Sequence, residues 1–510
     1  MRLLHSVTLA RMLLRYFARR VLHIGALRSG FATFLAGAGV VVPIAIFVGA
    51  VYIFLDSLSM DDEAWSLLFT MAAIAVVLWA QIAFLIVKTL FSNAQGMLAL
   101  SFRLPLTNRE RAAGFLICEA AMIAAVTGIL SAGLVGASIL LRGPAVVPRL
   151  LEAIVFPAVL TYLVLGVVYQ LMAAALARLP LRRIGGPVMI VAMFALLLGY
   201  ATQLGSITSQ VSRAYLDHTD PLVWVGILGW LSRSDGFAVM LGAFLTIAGA
   251  LTVIMIRLTP HQHVNASRYL NCSLELRVLG RLNPYDRALI RSAQTWLAAW
   301  VALATFTFLC INPVVNPLWG FVVLTVGGFY QFAATLPLRM MVGGPASPWA
   351  IYGRLIKAHI VVFAIFLVPG TIIAGLVNID HVVESPLPIV GCVGSVLLVQ
   401  WVGVAFPAED DNPFSVLVGR TVAIAVLGTV GITVAVLRLP LTVIVVGAVL
   451  VVCALVRNTV EGIRVDESRR RHEEIGPPRR RPHWFRRVDA ADRGRDSVVP
   501  DAQPVSRAAD

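Results

Sequence analysis

Ionisable side chains are few inside the long apolar runs of this sequence, and two stand out: Lys88, in FLIVKTLF, and Glu119, in GFLICEAAM. A charge near mid-membrane costs about 2.5–3.5 kcal/mol on insertion scales, so each needs a partner or a place near the interface. The sequence offers them to each other, either as a staple across a helical hairpin or as part of a transport route. Four glutamines, Gln81, Gln170, Gln331 and Gln400, also stand in apolar runs. They could line a polar pathway, or they could hydrogen-bond one helix to the next, the reading expected for at least half of them.

Other chemistry is missing from the sequence. There is no GxxxxGK[ST], and the chain's two lysines, Lys88 and Lys357, lie in apolar surroundings that could not cradle phosphate. HExxH, CxxC and GxSxG are absent too. The five cysteines are scattered and read as small core residues. His261 and His263 have no acidic neighbours. Asp61-Asp62-Glu63, on the outer side, is the one acidic cluster that a lipid-linked glycosyl transferase could use with a metal, and as a solvated loop cap it needs no function. No catalytic, cofactor-binding or metal-ligating residue is expected.

The elements that must carry these residues follow from composition. Of 510 residues, 59% are hydrophobic and 13% charged, against about 25% charged in soluble proteins. Repeated apolar runs of membrane-crossing length give an all-α polytopic membrane protein. Twelve spans are expected, at about 31–55, 65–90, 113–141, 150–176, 186–204, 237–256, 293–312, 318–341, 357–377, 387–405, 419–437 and 440–456. Residues 1–30 read as a basic amphipathic helix lying in the interface. Residues 207–233 read as a polar stretch followed by a short element that Asp220 and Pro221 open and that cannot cross. The surplus of 41 Lys and Arg over 27 acids sits in alternate loops and in the tails. That pattern argues against nucleic-acid binding and, by the positive-inside rule, sets both termini in the cytosol.

Two capped helix starts stand out. Pro105 stops the preceding segment, and Thr107 with Glu110 forms a capping box that begins a helix running into the third span. After the eighth span, Ser347 caps a second start with Pro348 in the first helical position. Gln81 and Gln331, the two starts, and Gln170 and Gln400 recur in the same order at offsets of 250, 240 and 230. The chain thus divides into a first six-span unit (31–258), a cytosolic linker (259–292), a second six-span unit (293–457) and a basic, disordered cytosolic tail (458–510), the units forming a parallel repeat.

With two such halves the chain resembles the type-2 export-permease subunits of ATP-binding-cassette (ABC) transporters, in the large form whose single chain holds both units. RLPLTNRERAAGFL is similar to that family's short cytosolic coupling helix, DPLVWVGILGWLSRSDG to its outer re-entrant element, and AFPAEDDNPFSVLVGR to its FP…NP loop. The second half departs from the pattern, with only Arg438-Leu439-Pro440 before its last span. The resemblance implies a separate cytosolic ATPase, a dimer that carries ATP and Mg, and no cofactor or catalysis in this chain. It also implies an amphiphilic, peptide-like or lipid-like substrate moved across the cytoplasmic membrane. Thr107, Arg109, Glu110 and Arg111 would contact the ATPase, as would Ser347, Trp349 and Arg354, with the three charges after Thr107 facing water. Substrate would pass between the halves, along faces carrying the four glutamines. A lipid-linked glycosyl transferase and a secondary transporter or flippase are the rival readings.

Overall fold

The computed structural model describes residues 3–22, 30–58, 61–93, 101–102, 104–178, 185–219, 223–259, 283–311, 315–341, 347–407 and 441–475, and these form an all-α protein with no β-strand among them. Among the described residues, ten helices are long and apolar enough to cross a membrane. They coincide with the second to tenth and the twelfth spans read from the sequence, whose numbers are kept below. The first lies on a 28-residue helix, Gly30–Ser57. The eleventh falls outside the described residues, as do most of the linker, Asp220, Pro221, His261, His263 and the tail beyond Ile475.

The first part of the tail, expected to be disordered from residue 458, is helical: the helix of the twelfth span, Leu441–Ile475, runs through it with Val460 and Ile463 buried. Two spans also differ from expectation. The fifth is one unbroken helix, Gly185–Leu216, not a span ending near Leu204. Thr202, Ser206 and Ser209 each return their hydroxyl to the carbonyl three residues back, at 2.8–2.9 Å. The polar stretch is therefore satisfied inside the helix and does not break it. The non-spanning element shrinks to a 3₁₀ turn, Trp224–Gly226, and a short helix, Ile227–Asp235.

The eighth span is in pieces: an 11-residue 3₁₀ helix, Pro317–Gly327, then α-helices Gly328–Ala334 and Leu336–Met341. Runs of 3₁₀ beyond three or four residues are uncommon, because side chains three apart eclipse. Here that eclipsing is used. Leu318, Phe321, Leu324 and Gly327 fall at intervals of three and are all buried. Gly320 lets this helix lie directly on the seventh span, since a Cβ there would stand 2.8 Å from the Phe306 nitrogen. Asn316 starts it, accepting from the Leu318 N–H at 3.1 Å and donating to the His381 carbonyl at 3.0 Å.

Packing within the halves follows a common scheme. The second span packs on the third and fourth, the third on the fourth, and the sixth on both third and fourth. Likewise the eighth packs on the ninth and tenth, the ninth on the tenth, and the twelfth on both ninth and tenth. The N-terminal helix, Leu3–Leu22, seats on the third span, and the linker helix, Pro284–Arg291, on the ninth. One pairing departs: the first span packs on the third, whereas the seventh packs on the eighth. The halves meet where the fifth and seventh spans touch.

The N-terminal helix shows why its sequence is amphipathic. Ser6, Leu9, Ala10 and Leu13, at helical spacing, are buried against the third span. Gly114 makes room for them, since a Cβ there would come within 2.8 Å of Leu9 Cδ2. The apolar face expected to lie in the interface is thus covered by protein, while Leu4, Val7, Arg11 and Met12 stay exposed.

Candidate functional site

Each half holds one buried polar junction at the meeting of three spans. In the first half, Lys88 of the second span donates to both carboxylate oxygens of Glu119 at 2.7 Å, and both residues are buried. The ammonium also lies over two rings, 5.4 Å from the Phe84 centroid and 4.9 Å from that of Tyr169. Tyr162, on the fourth span, donates its hydroxyl to the Leu116 carbonyl at 3.1 Å and stands 3.4 Å from Glu119 Oε2. The expected pair is formed, and its charges compensate each other in an apolar setting of Leu163, Ile123 and Met193.

The junction in the second half is built of two amides and an imidazole. Gln331, His359 and Gln400, from the eighth, ninth and tenth spans, are 0–2% exposed. Gln331 Nε2 donates to the Leu355 carbonyl at 3.0 Å. Its Oε1 meets His359 Nδ1 at 2.6 Å and also accepts from Gln400 Nε2. Because an amide oxygen can only accept, His359 carries its proton on Nδ1. Gly328 is needed beside it: a Cβ there would lie 2.9 Å from Val399 Cγ1 and 3.2 Å from His359 Cε1.

Of the four glutamines, then, Gln331 and Gln400 are brought together, buried inside one half as helix-to-helix hydrogen bonds. Gln81 is partly buried with its Oε1 unpartnered among the described residues, and Gln170 is partly buried on the fourth span. Sequence reasoning missed His359 and Tyr162. A signal for His359 was available: Glu119 follows Thr107 by twelve residues, and His359 follows Ser347 by twelve.

Both helix starts form as read. Thr107 Oγ1 accepts from the Glu110 N–H at 3.3 Å, and Glu110 Oε2 accepts from the Thr107 N–H at 3.1 Å. Ser347 Oγ accepts from the Ala350 N–H at 3.2 Å, with Pro348 in the first helical position. The expectation that Arg109, Glu110 and Arg111 all face water holds for Arg109 alone. Glu110 is taken up by the cap and covered by the N-terminal helix, with His5 at 3.8 Å. Arg111 is folded onto the Phe102 ring, 3.5 Å from its centroid, and donates to Asn108 Oδ1. At the second start Ser347 and Trp349 are exposed, with Trp349 edge-on to Tyr352, while Arg354 is half-buried 5.8 Å from the Tyr285 ring.

The acidic cluster is fully occupied. Asp61 accepts from the Ala64 N–H at 2.8 Å, Asp62 pairs with Arg142 at 2.6 Å, and Glu63 pairs with His218 at 3.2 Å. Among the described residues no group of His, Cys, Asp and Glu could hold a metal ion. A further tie went unread in the sequence: the Ser232 hydroxyl donates to Glu152 at 2.5 Å, joining the short helix after the fifth span to the five-residue π-turn, Leu151–Val155, that opens the fourth. No family model, characterised protein or solved structure matches the chain.

Proposed function

We propose that this chain is the membrane-spanning permease subunit of an ATP-driven ABC exporter, built from two six-span units in parallel repeat. It sits in the cytoplasmic membrane with both termini in the cytosol and moves an amphiphilic substrate. A separate cytosolic ATPase dimer binds ATP and Mg, and this chain does no catalysis. The carrying observation is the pair of capped helix starts, each leading twelve residues later into a polar junction of three spans. A push on either start, passed along about 18 Å of rigid helix, would arrive where that helix is tied to two neighbours. The matching packing scheme of the two halves supports the repeat. Occupation of Asp61, Asp62 and Glu63 in caps and ion pairs weighs against the transferase reading, and compensation of Glu119 by Lys88 weighs against a proton-coupled carrier.

The burial of Glu110 and Arg111 narrows the contact to the ATPase at the first start to Arg109, with Trp349 as its counterpart at the second. Tagged protein drawn from native membranes should bring with it an ATPase that has a phosphate-binding loop and no spans. Arg109→Glu with Trp349→Ala should lower its recovery while leaving the amount and insertion of this chain unchanged. Cysteines at 61 and 382 should label from outside, and those at 108, 265 and 480 from inside. Failure to recover an ATPase, or robust hydrolysis by the purified chain alone, would overturn the proposal.

A further inference from the structure

The hydrogen bonds of the second junction do not close. The backbone carbonyl of Leu355 can only accept, so the Gln331 amide must turn its nitrogen there. That turns Gln331 Oε1 toward Gln400, which must then answer with its own nitrogen. Gln400 Oε1 is left pointing elsewhere, buried, and no donor among the described residues reaches it. Flipping one amide does not help, since it would set oxygen against oxygen at Gln331 or at Leu355. The missing bond is therefore dictated by the Leu355 carbonyl and passed along two side chains. The first junction has no such fault: Lys88 serves both oxygens of Glu119, and the Tyr162 hydroxyl has the Leu116 carbonyl.

A buried acceptor without a donor destabilises the packing that buries it. We infer that the Gln331–His359–Gln400 junction is a built-in opening point: the tenth span parts from the eighth and ninth there, letting water reach Gln400, while the second, third and fourth spans stay closed around Lys88 and Glu119. The inference needs no ATPase and can be tested on the isolated chain.

Native cysteines serve as reporters. Cys118 is buried beside Glu119 in the first junction, and Cys392 is buried on the tenth span, two turns from Gln400. With Cys272, Cys310 and Cys453 replaced by serine, a small water-soluble thiol reagent would be applied to protein in lipid nanodiscs. Cys392 should react faster than Cys118. Gln400→Met keeps the side-chain shape and removes the orphan acceptor. It should raise the thermal midpoint and slow Cys392 labelling by about three-fold, the population change that one interhelical hydrogen bond of average strength represents. Gln331→Met, which removes the bonds to Leu355, His359 and Gln400, should speed it; Cys118 should not respond to either. If Gln400 is ordinary helix-to-helix glue, Gln400→Met will instead loosen the junction and speed Cys392. That result, an unfolded Gln400→Met and Gln400→Leu, or equal labelling of Cys118 and Cys392 in the unmodified junctions, would overturn the inference.

Discussion

The two polar junctions each tie three spans together and use opposite chemistry. One ties three spans with an ion pair, a tyrosine and two ring faces; the other uses two amides and an imidazole and carries no charge. The charged one is all-or-none. Its two charges are tolerable together in an apolar interior and intolerable apart. The neutral one is graded, because each of its hydrogen bonds is modest and can be lost singly. The two halves of the chain can therefore differ in how they yield.

Breaking the charged junction should give the largest effect. Lys88→Met or Glu119→Leu alone strands a buried charge and should cost about 3–5 kcal/mol of stability. The double variant should recover much of that loss, since neither charge remains. Thermal unfolding in detergent, with yield of inserted protein as a second readout, measures all three. Singles as mild as the double would mean that Lys88 reaches water by some other route and that the contrast between the junctions is weaker than drawn.

In the neutral junction Gln331 is the keystone, with three hydrogen-bond partners. At about 0.6 kcal/mol for an average interhelical bond, Gln331→Met should cost about 1–2 kcal/mol, less than either single charge removal. His359→Phe removes one of these bonds and should cost less again. If Gln331→Met proves as damaging as Glu119→Leu, the neutral cluster is not graded and acts as a single unit.

How far these junctions could be read in advance depended on the kind of signal. Long apolar runs announce spans by length alone, and both caps were legible because Thr107 with Glu110, and Ser347 with Pro348, are local patterns. Lys88 and Glu119 were legible because a charge in an apolar run demands an answer. His359 was not, since a neutral histidine makes no such demand, and it emerges only when the two helix starts are aligned. The 3₁₀ course of the eighth span was hidden because Leu318, Phe321 and Leu324 suit either helix, and contact through Gly320 with the seventh span decides between them. The continuity of the fifth span was misread because Ser206 and Ser209 look like breakers until their hydroxyls are seen bonded within the helix.

The helix starts allow a finer test of the same asymmetry. Thr107 sits in a reciprocal box with Glu110, whereas Ser347 has Ala350 at the matching position and is exposed. Loss of an N-cap side chain costs about 0.5–2 kcal/mol. Thr107→Ala should lie in the upper part of that range, because Glu110 loses its partner while remaining buried under the N-terminal helix. Ser347→Ala should lie in the lower part, because water can replace the hydroxyl and Pro348 keeps the first turn in place. Equal losses would mean that the box adds nothing beyond the cap.

The smallest effect should come from the far end of the first half, where Arg142 pairs with Asp62 at 2.6 Å over the Trp65 ring. The distance is shorter than that between Lys88 and Glu119, yet distance is a poor guide to worth. The Asp62 side chain is 77% exposed and that of Arg142 is 38% exposed. Water already solvates both charges, and ordering two side chains costs rotamer freedom, so such pairs contribute about 0–1 kcal/mol. Asp62→Asn should therefore lower stability by less than about 1 kcal/mol, and the difference should vanish as salt rises and screens the pair. Glu119→Leu should keep its full cost at the same salt, since ions do not reach a buried charge. Measured side by side at low and high salt, the two variants separate burial from proximity. If Asp62→Asn were as costly as Glu119→Leu and equally deaf to salt, proximity and not burial would govern ion pairs in this fold.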